Sequence, residues 1–375
     1  MAYQFPPITL LGYHNDKSKY ADKDYVKQMA NEIADILKAY KVSGTITNAR
    51  TNPFSACFDV VPDIGVSVKS FKNLREDLEL HMASPVEIVS IGEEQFTISI
   101  AVKTWGRPVV GLREVMESKA FKESDAIIPI AAGMDVLGRS FVFDMAATPH
   151  LLVAGTTGAG KSVFLNDMIL SILFTRSPED VRLILFDPKE VEFMPYQGIP
   201  HLLFDPIYKT EQAMWALQWT EDEMLKRYNK FAEVGVKDID GYNAKAKEKL
   251  PRIVVIIDEY MEMMFESPKI MEEQIARLTR LARASGIHLV LSTQRATNKV
   301  ITSSIKANIP CRASFTMVDW RESKTILDRT GAERLLGNGD MLFSASEAAL
   351  SSHIQTAYVT YPEIDHVIDW VKART

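Results

Sequence analysis

Gly155-Thr156-Thr157-Gly158-Ala159-Gly160-Lys161-Ser162 follows the pattern G-x-x-x-x-G-K-[S/T] and stands between the apolar run Leu151–Ala154 and the helix-like run Val163–Phe174. Those residue types suit one task. Glycines let the backbone wrap so that successive N–H groups face one point, and the helix that follows adds its positive N-terminal end, together making a cradle for phosphates. From Gly155 through Val163 the chain is therefore expected to hold a nucleoside triphosphate, with Lys161 on the β- and γ-phosphates and the Ser162 hydroxyl on Mg²⁺.

A second apolar run, Ile253–Ile257, ends in Asp258-Glu259, and the carboxyl end of a core strand is where an α/β sheet places its ligand. Asp258 suits the shell of the metal. Glu259 suits the base that prepares a water for the γ-phosphate. A third run, Ile287–Ser292, ends in Thr293-Gln294, where Gln294 is placed to hydrogen-bond the attacking water or the γ-phosphate.

Positioning such groups requires strands that alternate with helices. After Met145 the chain has that rhythm, with strands expected at Leu151–Ala154, Val181–Phe186, Ile253–Ile257 and Ile287–Ser292, implying an α/β domain with a parallel sheet covered on both faces. A helical insertion is expected between Thr210 and Leu250, and a strand pair with a last helix from Pro362 to Lys372 between Gly337 and Thr375. Upstream the pattern differs. Val26, Met29, Ile33, Ile36, Leu37 and Tyr40 share one helical face, Phe71, Leu74, Leu78 and Met82 another, and Val86–Ile91 with Phe96–Val102 reads as a hairpin about Gly92-Glu93-Glu94-Gln95. The expected division is an extended, unpacked arm over 1–19, a smaller α+β domain over 20–145, and the phosphate-binding domain over 146–375.

The 375 residues are 46% hydrophobic and 25% charged, enough for a large core and too apolar for disorder to dominate. With 43 basic and 49 acidic residues the net charge is −6, so no global field draws polyanions and any nucleic-acid contact is local. Cys57 and Cys311 cannot form a disulfide framework, which fits the reducing cytoplasm. No run reaches the ~20 apolar residues of a membrane span, so no membrane segment is expected. Between Arg277 and Arg329, ten basic residues face only Asp319, Glu322 and Asp328 on the acidic side, the footprint of a local grip on phosphate backbone.

With these segments in view, the chain resembles the FtsK/SpoIIIE family of double-stranded DNA translocases. The resemblance rests on Pro149-His150-Leu151-Leu152 running into the phosphate loop, Asp187-Pro188-Lys189, Gly198-Ile199-Pro200-His201-Leu202, Arg283-Ala284-Ser285-Gly286-Ile287-His288, Thr293-Gln294-Arg295, Ile305-Lys306-Ala307-Asn308 and Gly337-Asn338-Gly339-Asp340. It implies a RecA-like ATPase motor beneath a smaller ring domain, a homo-hexamer with double-stranded DNA in its pore, and ATP between subunits. An arginine from the neighbour would then stabilise the γ-phosphate, and both Arg283 and Arg312 stand in matching segments. Arg295, Lys306 and Lys324 match the loops that touch DNA, whereas Trp320 departs from the basic or small polar residue usual there.

Family members in cell division and sporulation carry N-terminal membrane helices and often a C-terminal winged-helix reader of DNA orientation. This chain is expected to have neither, and Met1 favours a naturally short form. Without a reader, translocation is expected to lack sequence-directed polarity. Two other functions compete: a motor of the same superfamily that moves protein, and a scaffold that binds nucleotide without turnover. The basic strip argues against the first, and Lys161, Asp258, Glu259 and Gln294 against the second.

Overall fold

A computed structural model describes residues 3–14, 22–53, 55–91, 97–104, 109–346 and 351–374. The first helix, α1 (Lys23–Ala39), starts where the Asp22 side chain accepts the Tyr25 N–H at 2.7 Å, and buries Val26, Met29, Ile33, Ile36 and Leu37. There follow β1 (Gly44–Thr51), β2 (Ser55–Pro62), α2 (Val68–Asn73), α3 (Arg75–Met82), β3 (Val86–Ile91) and β4 (Thr97–Lys103), with the strands pairing antiparallel in the order β1-β2-β4-β3. The single second helix expected from the spacing is two, with Leu74 at the junction, so that Phe71, Leu74 and Leu78 all reach this domain's core. The turn Gly92–Gln95 and Phe96 lie outside the described residues.

Next come α4 (Leu112–Glu117), α5 (Lys119–Lys122), β5 (Pro129–Asp135) and β6 (Ser140–Asp144). The larger domain continues with β7 (His150–Ala154), α6 (Lys161–Thr175), β8 (Val181–Phe186), α7 (Thr210–Val234), α8 (Ile239–Lys245) and β9 (Arg252–Ile257). It closes with α9 (Tyr260–Glu266), α10 (Pro268–Leu281), β10 (Ile287–Thr293), α11 (Ser303–Asn308), β11 (Cys311–Ser314), α12 (Trp320–Leu327), β12 (Asp340–Ser344), β13 (Ser352–Thr356) and α13 (Tyr361–Lys372). These strands form one nine-stranded sheet in the order β6-β5-β13-β12-β11-β7-β10-β9-β8. Five of them, β11, β7, β10, β9 and β8, run parallel, as the alternating pattern requires, and the other four extend the sheet antiparallel. Separate apolar cores cover its two faces.

Two expectations change here. The division at residue 145 does not hold, because β5 and β6 belong to the larger sheet: β5 pairs with β13, and Ile130, Ala131 and Ala132 share a core with Phe164 and Met168 of α6. The smaller sheet ends at Lys103. Nor is the described part of the first segment unpacked, since Leu11 is buried in the main core, the Tyr3 hydroxyl donates to the Leu173 carbonyl at 3.0 Å, and Gly12 N–H donates to Glu363 at 2.6 Å.

A buried charge cluster joins the two domains. Lys103 Nζ on β4 donates to Asp340 Oδ2 on β12 at 2.8 Å, and the His353 ring on β13 bridges Asp340 and, at 3.1 Å, Glu87 on β3. Burial opposes ionisation of Asp340 and Glu87, but the His353 hydrogen bonds and the nearby cations outweigh it and hold both carboxyls below the ordinary range. Burial likewise opposes the His353 cation, and the hydrogen bonds to Asp340 and Glu87 outweigh it, raising its pKa. The raised histidine stabilises the fold below its ordinary value and loses that contribution as pH rises through its folded pKa. The depressed carboxylates stabilise it above their ordinary values and lose that as pH falls through their folded ones. His353→Asn should therefore lower the melting temperature most between about pH 4.5 and 6.5, with the deficit narrowing on either side. Thermal unfolding of both proteins across a pH series measures this, and a pH-independent deficit would contradict it.

Candidate functional site

The sheet's C-terminal edge carries the expected residues. Between β7 and α6 the loop turns with Gly158 and Gly160 at φ of 76° and 114°, conformations that a side chain strains. At Gly160 a Cβ would also stand 2.6 Å from the Gly339 nitrogen, and that nitrogen donates to the Ala159 carbonyl at 2.7 Å, so two backbones meet with no room between them. Thr156 N–H donates to Thr316 O at 3.0 Å and Gly155 N–H to Thr293 O at 3.2 Å. The loop is thus fastened to β10, to the segment after β11 and to the turn before β12. The amides of Lys161, Ser162 and Val163, the first turn of α6, have no carbonyl partner among the described residues and remain available to an anion.

Lys161 is buried, and its Nζ donates to Asp258 Oδ1 at 2.9 Å, which also accepts the Ser292 hydroxyl at 3.1 Å. Glu259 is fully buried. Its Oε1 accepts from the Thr293 hydroxyl at 3.1 Å and the Gln294 N–H at 3.2 Å, while its Oε2 accepts from Lys189 Nζ at 3.2 Å and lies 3.9 Å from Lys161 Nζ. Glu259 also takes φ of 57°, the left-handed region, at the start of α9. Gln294 Oε1 accepts from the Thr157 hydroxyl at 3.1 Å, linking the tip of β10 to the loop. Lys161, Ser162, Asp258, Glu259 and Gln294 are therefore neighbours, as their places at strand ends led one to expect.

Glu192 was missed by the sequence reading. The Asp187 carboxylate accepts the N–H groups of Val191, Glu192 and Phe193 at 2.8, 2.7 and 3.0 Å, winding the segment after β8 back toward α6. Glu192 there comes near Ser162, whose hydroxyl favours its charged form, but burial outweighs this and raises its carboxyl pKa, and its Oε2 is buried with no hydrogen-bond partner. The available signal was Asp187-Pro188-Lys189 at the carboxyl end of a core strand, which marks a site edge without naming the residue that returns to it.

The two arginines expected to serve a neighbouring subunit differ. Arg283 is exposed in the turn after α10, with no side-chain hydrogen bond or ion pair among the described residues. Arg312 is buried on β11, where its guanidinium pairs with Asp328 of the same chain and donates to the carbonyls of Lys306 and Ile309 at 3.3 and 3.4 Å. Arg312 is thus buried and neutralised within its own chain, whereas the Arg283 guanidinium stands at the surface. Lys306 is also spoken for, its ammonium paired with Asp328. Arg295 and Lys324 are exposed and form no ion pair among the described residues. Trp320, half exposed at the start of α12, carries the Arg321 guanidinium 5.3 Å from its ring centroid.

The model of the FtsK/SpoIIIE family matches residues 111–298, half of the 375-residue chain, and the FtsK alpha domain matches residues 5–103. The chain belongs to the FtsK/SpoIIIE family. The two FtsK matches part where the two sheets part, between residues 103 and 111. A DNA translocase FtsK of Caldanaerobacter subterraneus is 41% identical over 372 residues, covering 99% of this chain and 52% of that protein. The DNA translocase SftA of Bacillus subtilis is 38% identical over 379 residues, covering 100% of this chain and 40% of the relative. The chain thus spans about half the length, or less, of these curated relatives. Among solved structures, the pCW3 conjugation coupling protein TcpA in monomer form with ATPγS aligns with a TM-score of 0.63 at 22% identity, over 92% of this chain and 99% of that one. The cytoplasmic domain of the Thermomonospora curvata type VII secretion ATPase EccC aligns with a TM-score of 0.59 at 23% identity, over 65% and 31%. At these identities the likeness is one of fold. Among the described residues no helix is long and apolar enough to cross a membrane.

The contrast between the arginines is measurable without nucleotide. Arg312→Ala removes a buried side chain with its ion pair and two carbonyl hydrogen bonds and should cost about 3 kcal/mol of stability, whereas Arg283→Ala should stay within about 0.5 kcal/mol of the parent. Urea unfolding of both variants checks it, and equal midpoints would contradict the assignment of Arg312 to the interior.

Proposed function

We propose that this chain is the motor of an ATP-driven double-stranded DNA translocase that works as a homo-hexamer with its nucleotides at subunit interfaces. The observation that carries the reading is the phosphate cradle, in which unpaired first-turn amides of α6 stand beside a buried lysine held 2.9 Å from the acid at the end of β9. The DNA substrate is supported by relatives named DNA translocases at about 40% identity.

Asp258 neutralises Lys161. A triphosphate offers Lys161 stronger acceptors, and the amides of Lys161, Ser162 and Val163 take the phosphate oxygens. Mg²⁺ fits the oxygen donors present: the Ser162 hydroxyl and Asp258 would hold it, and the unpartnered Glu192 Oε2 beside Ser162 suits one of its waters. When bound, the ion neutralises charge on the transferring phosphate. Glu259 accepts the proton of the attacking water once its Lys189 contact loosens, and Gln294 orients that water from the tip of β10. Arg283 of one subunit reaches the γ-phosphate in the next. Arg295 and Lys324 grip the DNA backbone, which carries no base identity and leaves direction to a partner.

Lys161→Ala should abolish ATP binding, while Glu259→Gln should bind ATP and hydrolyse it at least a hundredfold more slowly. Mixing Lys161→Ala with Arg283→Ala subunits should restore part of the DNA-stimulated ATPase activity, since each supplies what the other lacks. Unrecovered mixtures would remove Arg283 from the shared site.

Arg295→Ala and Lys324→Ala should each flatten the salt dependence of duplex binding by about 0.9 log units per log unit of salt, with Lys306→Ala doing less because its ammonium is already paired. DNA-affinity titrations over a range of salt read this directly. Salt-insensitive binding of an unfolded polypeptide, with no duplex binding, would favour the protein-moving alternative.

A further inference from the structure

Thr293, the last residue of β10, carries a hydroxyl with more acceptors within reach than it can serve. The residue is fully buried at the sheet's carboxyl edge, where it pairs with Ala154 of β7 and its carbonyl takes the Gly155 N–H at 3.2 Å. Its backbone is therefore fixed on the phosphate-loop side. Its Oγ1 lies 3.1 Å from Glu259 Oε1 and 3.2 Å from the Arg295 carbonyl, and it accepts the Arg295 N–H at 3.3 Å. A hydroxyl has one proton to give.

The distances show how evenly that proton is divided. A committed O–H···O bond is about 2.7–2.8 Å long, so contacts of 3.1 and 3.2 Å leave the proton shared, and a small displacement at Arg295 turns it one way or the other. Pointing at Glu259, it completes a set of three donors with the Gln294 N–H and Lys189 Nζ, each at 3.2 Å. Pointing at the Arg295 carbonyl, it leaves two, and Oε1 is freer to take the proton of an attacking water. Arg295 itself has an exposed side chain, but the chain beyond it is packed, with Ala296, Val300 and Ile301 in the core. A pull on the guanidinium is therefore taken up by the peptide groups of Arg295, which are the ones that meet the hydroxyl. Packing alone does not call for that hydroxyl, since valine has the same shape and the same preference for a strand.

We infer that Thr293 is the positioning residue through which contact of Arg295 with DNA is conveyed to Glu259, its hydroxyl dividing one proton between the carboxylate and the Arg295 carbonyl. The inference rests on the reading of Glu259 as the base and of Arg295 as a DNA contact, and adds the path between them. Thr293 acts through Glu259 and takes no part in the reaction itself.

The test measures ATP turnover by the full chain at saturating Mg·ATP, with and without saturating duplex DNA. In Thr293→Val the ratio of the two rates should fall by about fivefold or more, because the carboxylate is then held in one state whether or not DNA is bound. KM for ATP should stay within about twofold of the parent, and Thr293→Ser, which keeps the hydroxyl, should restore the ratio. The salt slope of duplex binding should keep the parent's value in Thr293→Val, unlike Arg295→Ala. Combining Arg295→Ala with Thr293→Val should reduce the ratio no further than Thr293→Val alone, since both changes interrupt one path. In the unmodified chain, which needs no variant to fold, duplex DNA should alter hydrogen exchange at the Arg295 amide that ends on the hydroxyl. Parental stimulation in Thr293→Val, a serine variant as impaired as the valine one, additive losses in the double variant, or unaltered exchange at Arg295 each overturns the inference. A parent whose turnover ignores duplex DNA, or an Arg295→Ala variant with the parent's salt slope, would instead show that the DNA-contact reading is wrong, and the inference falls with it.

Discussion

Two carboxylates placed almost without exposure at the end of one strand are the constraint around which the larger domain is arranged. A buried anion is tolerated only when cations and donors surround it, and Asp258 and Glu259 draw theirs from three other elements. Lys161 comes from the first turn of α6, Lys189 from the segment after β8, and Ser292, Thr293 and the Gln294 amide from the tip of β10. Each donor is a polar residue at or just past the end of an otherwise apolar strand, or at the start of a helix. The sheet's carboxyl edge is therefore pinned by the same charges that the phosphates of a nucleotide would rearrange, and binding there exchanges one set of ionic contacts for another without exposing a bare charge.

The left-handed backbone of Glu259 belongs to the same constraint. A glutamate at a φ of 57° is an uncommon, costly choice, and its side chain is held by three donors that fix where the carboxylate lies. Energy stored in the backbone at that point is offset by hydrogen bonds that persist only while the carboxylate stays put. A shift of Lys189 alone therefore changes both the charge next to Glu259 and the balance that keeps it in place.

Much of this was legible in the chain itself. The loop at Gly155–Ser162, the acidic pair after Ile253–Ile257 and Gln294 after the next strand are local patterns, and each lies where pattern placed it. What was hidden depends on contacts distant in sequence. Pro129–Asp135 reads as a strand, but nothing local says that its partner is Ser352–Thr356, so the domain border was drawn some forty residues late. Arg312 lies in a segment like any exposed basic motif until Asp328, sixteen residues on, is seen to neutralise it. Glu192 needed the loop organised by Asp187, and Leu11 needed a core built almost wholly from residues beyond 100.

The packed first segment and the residues leading into α4 meet at one place. The His14 ring lies edge-on to Tyr358 with centroids 5.3 Å apart, His14 N–H donates to Glu114 at 2.7 Å, and Tyr358 is hydrogen-bonded on both sides to Val110 and Leu112. The chain that leads to the smaller domain and the chain that returns from it are thus anchored side by side, beside the start of α13. A body tied through one root is placed by its contacts rather than by its chain ends. Those contacts are the ionic catch of Lys103, Asp340, His353 and Glu87, together with the Val136 carbonyl that accepts from Asn52 and Ser55. Where the smaller domain sits against β12 and β13 is therefore written in side chains more than in linking backbone.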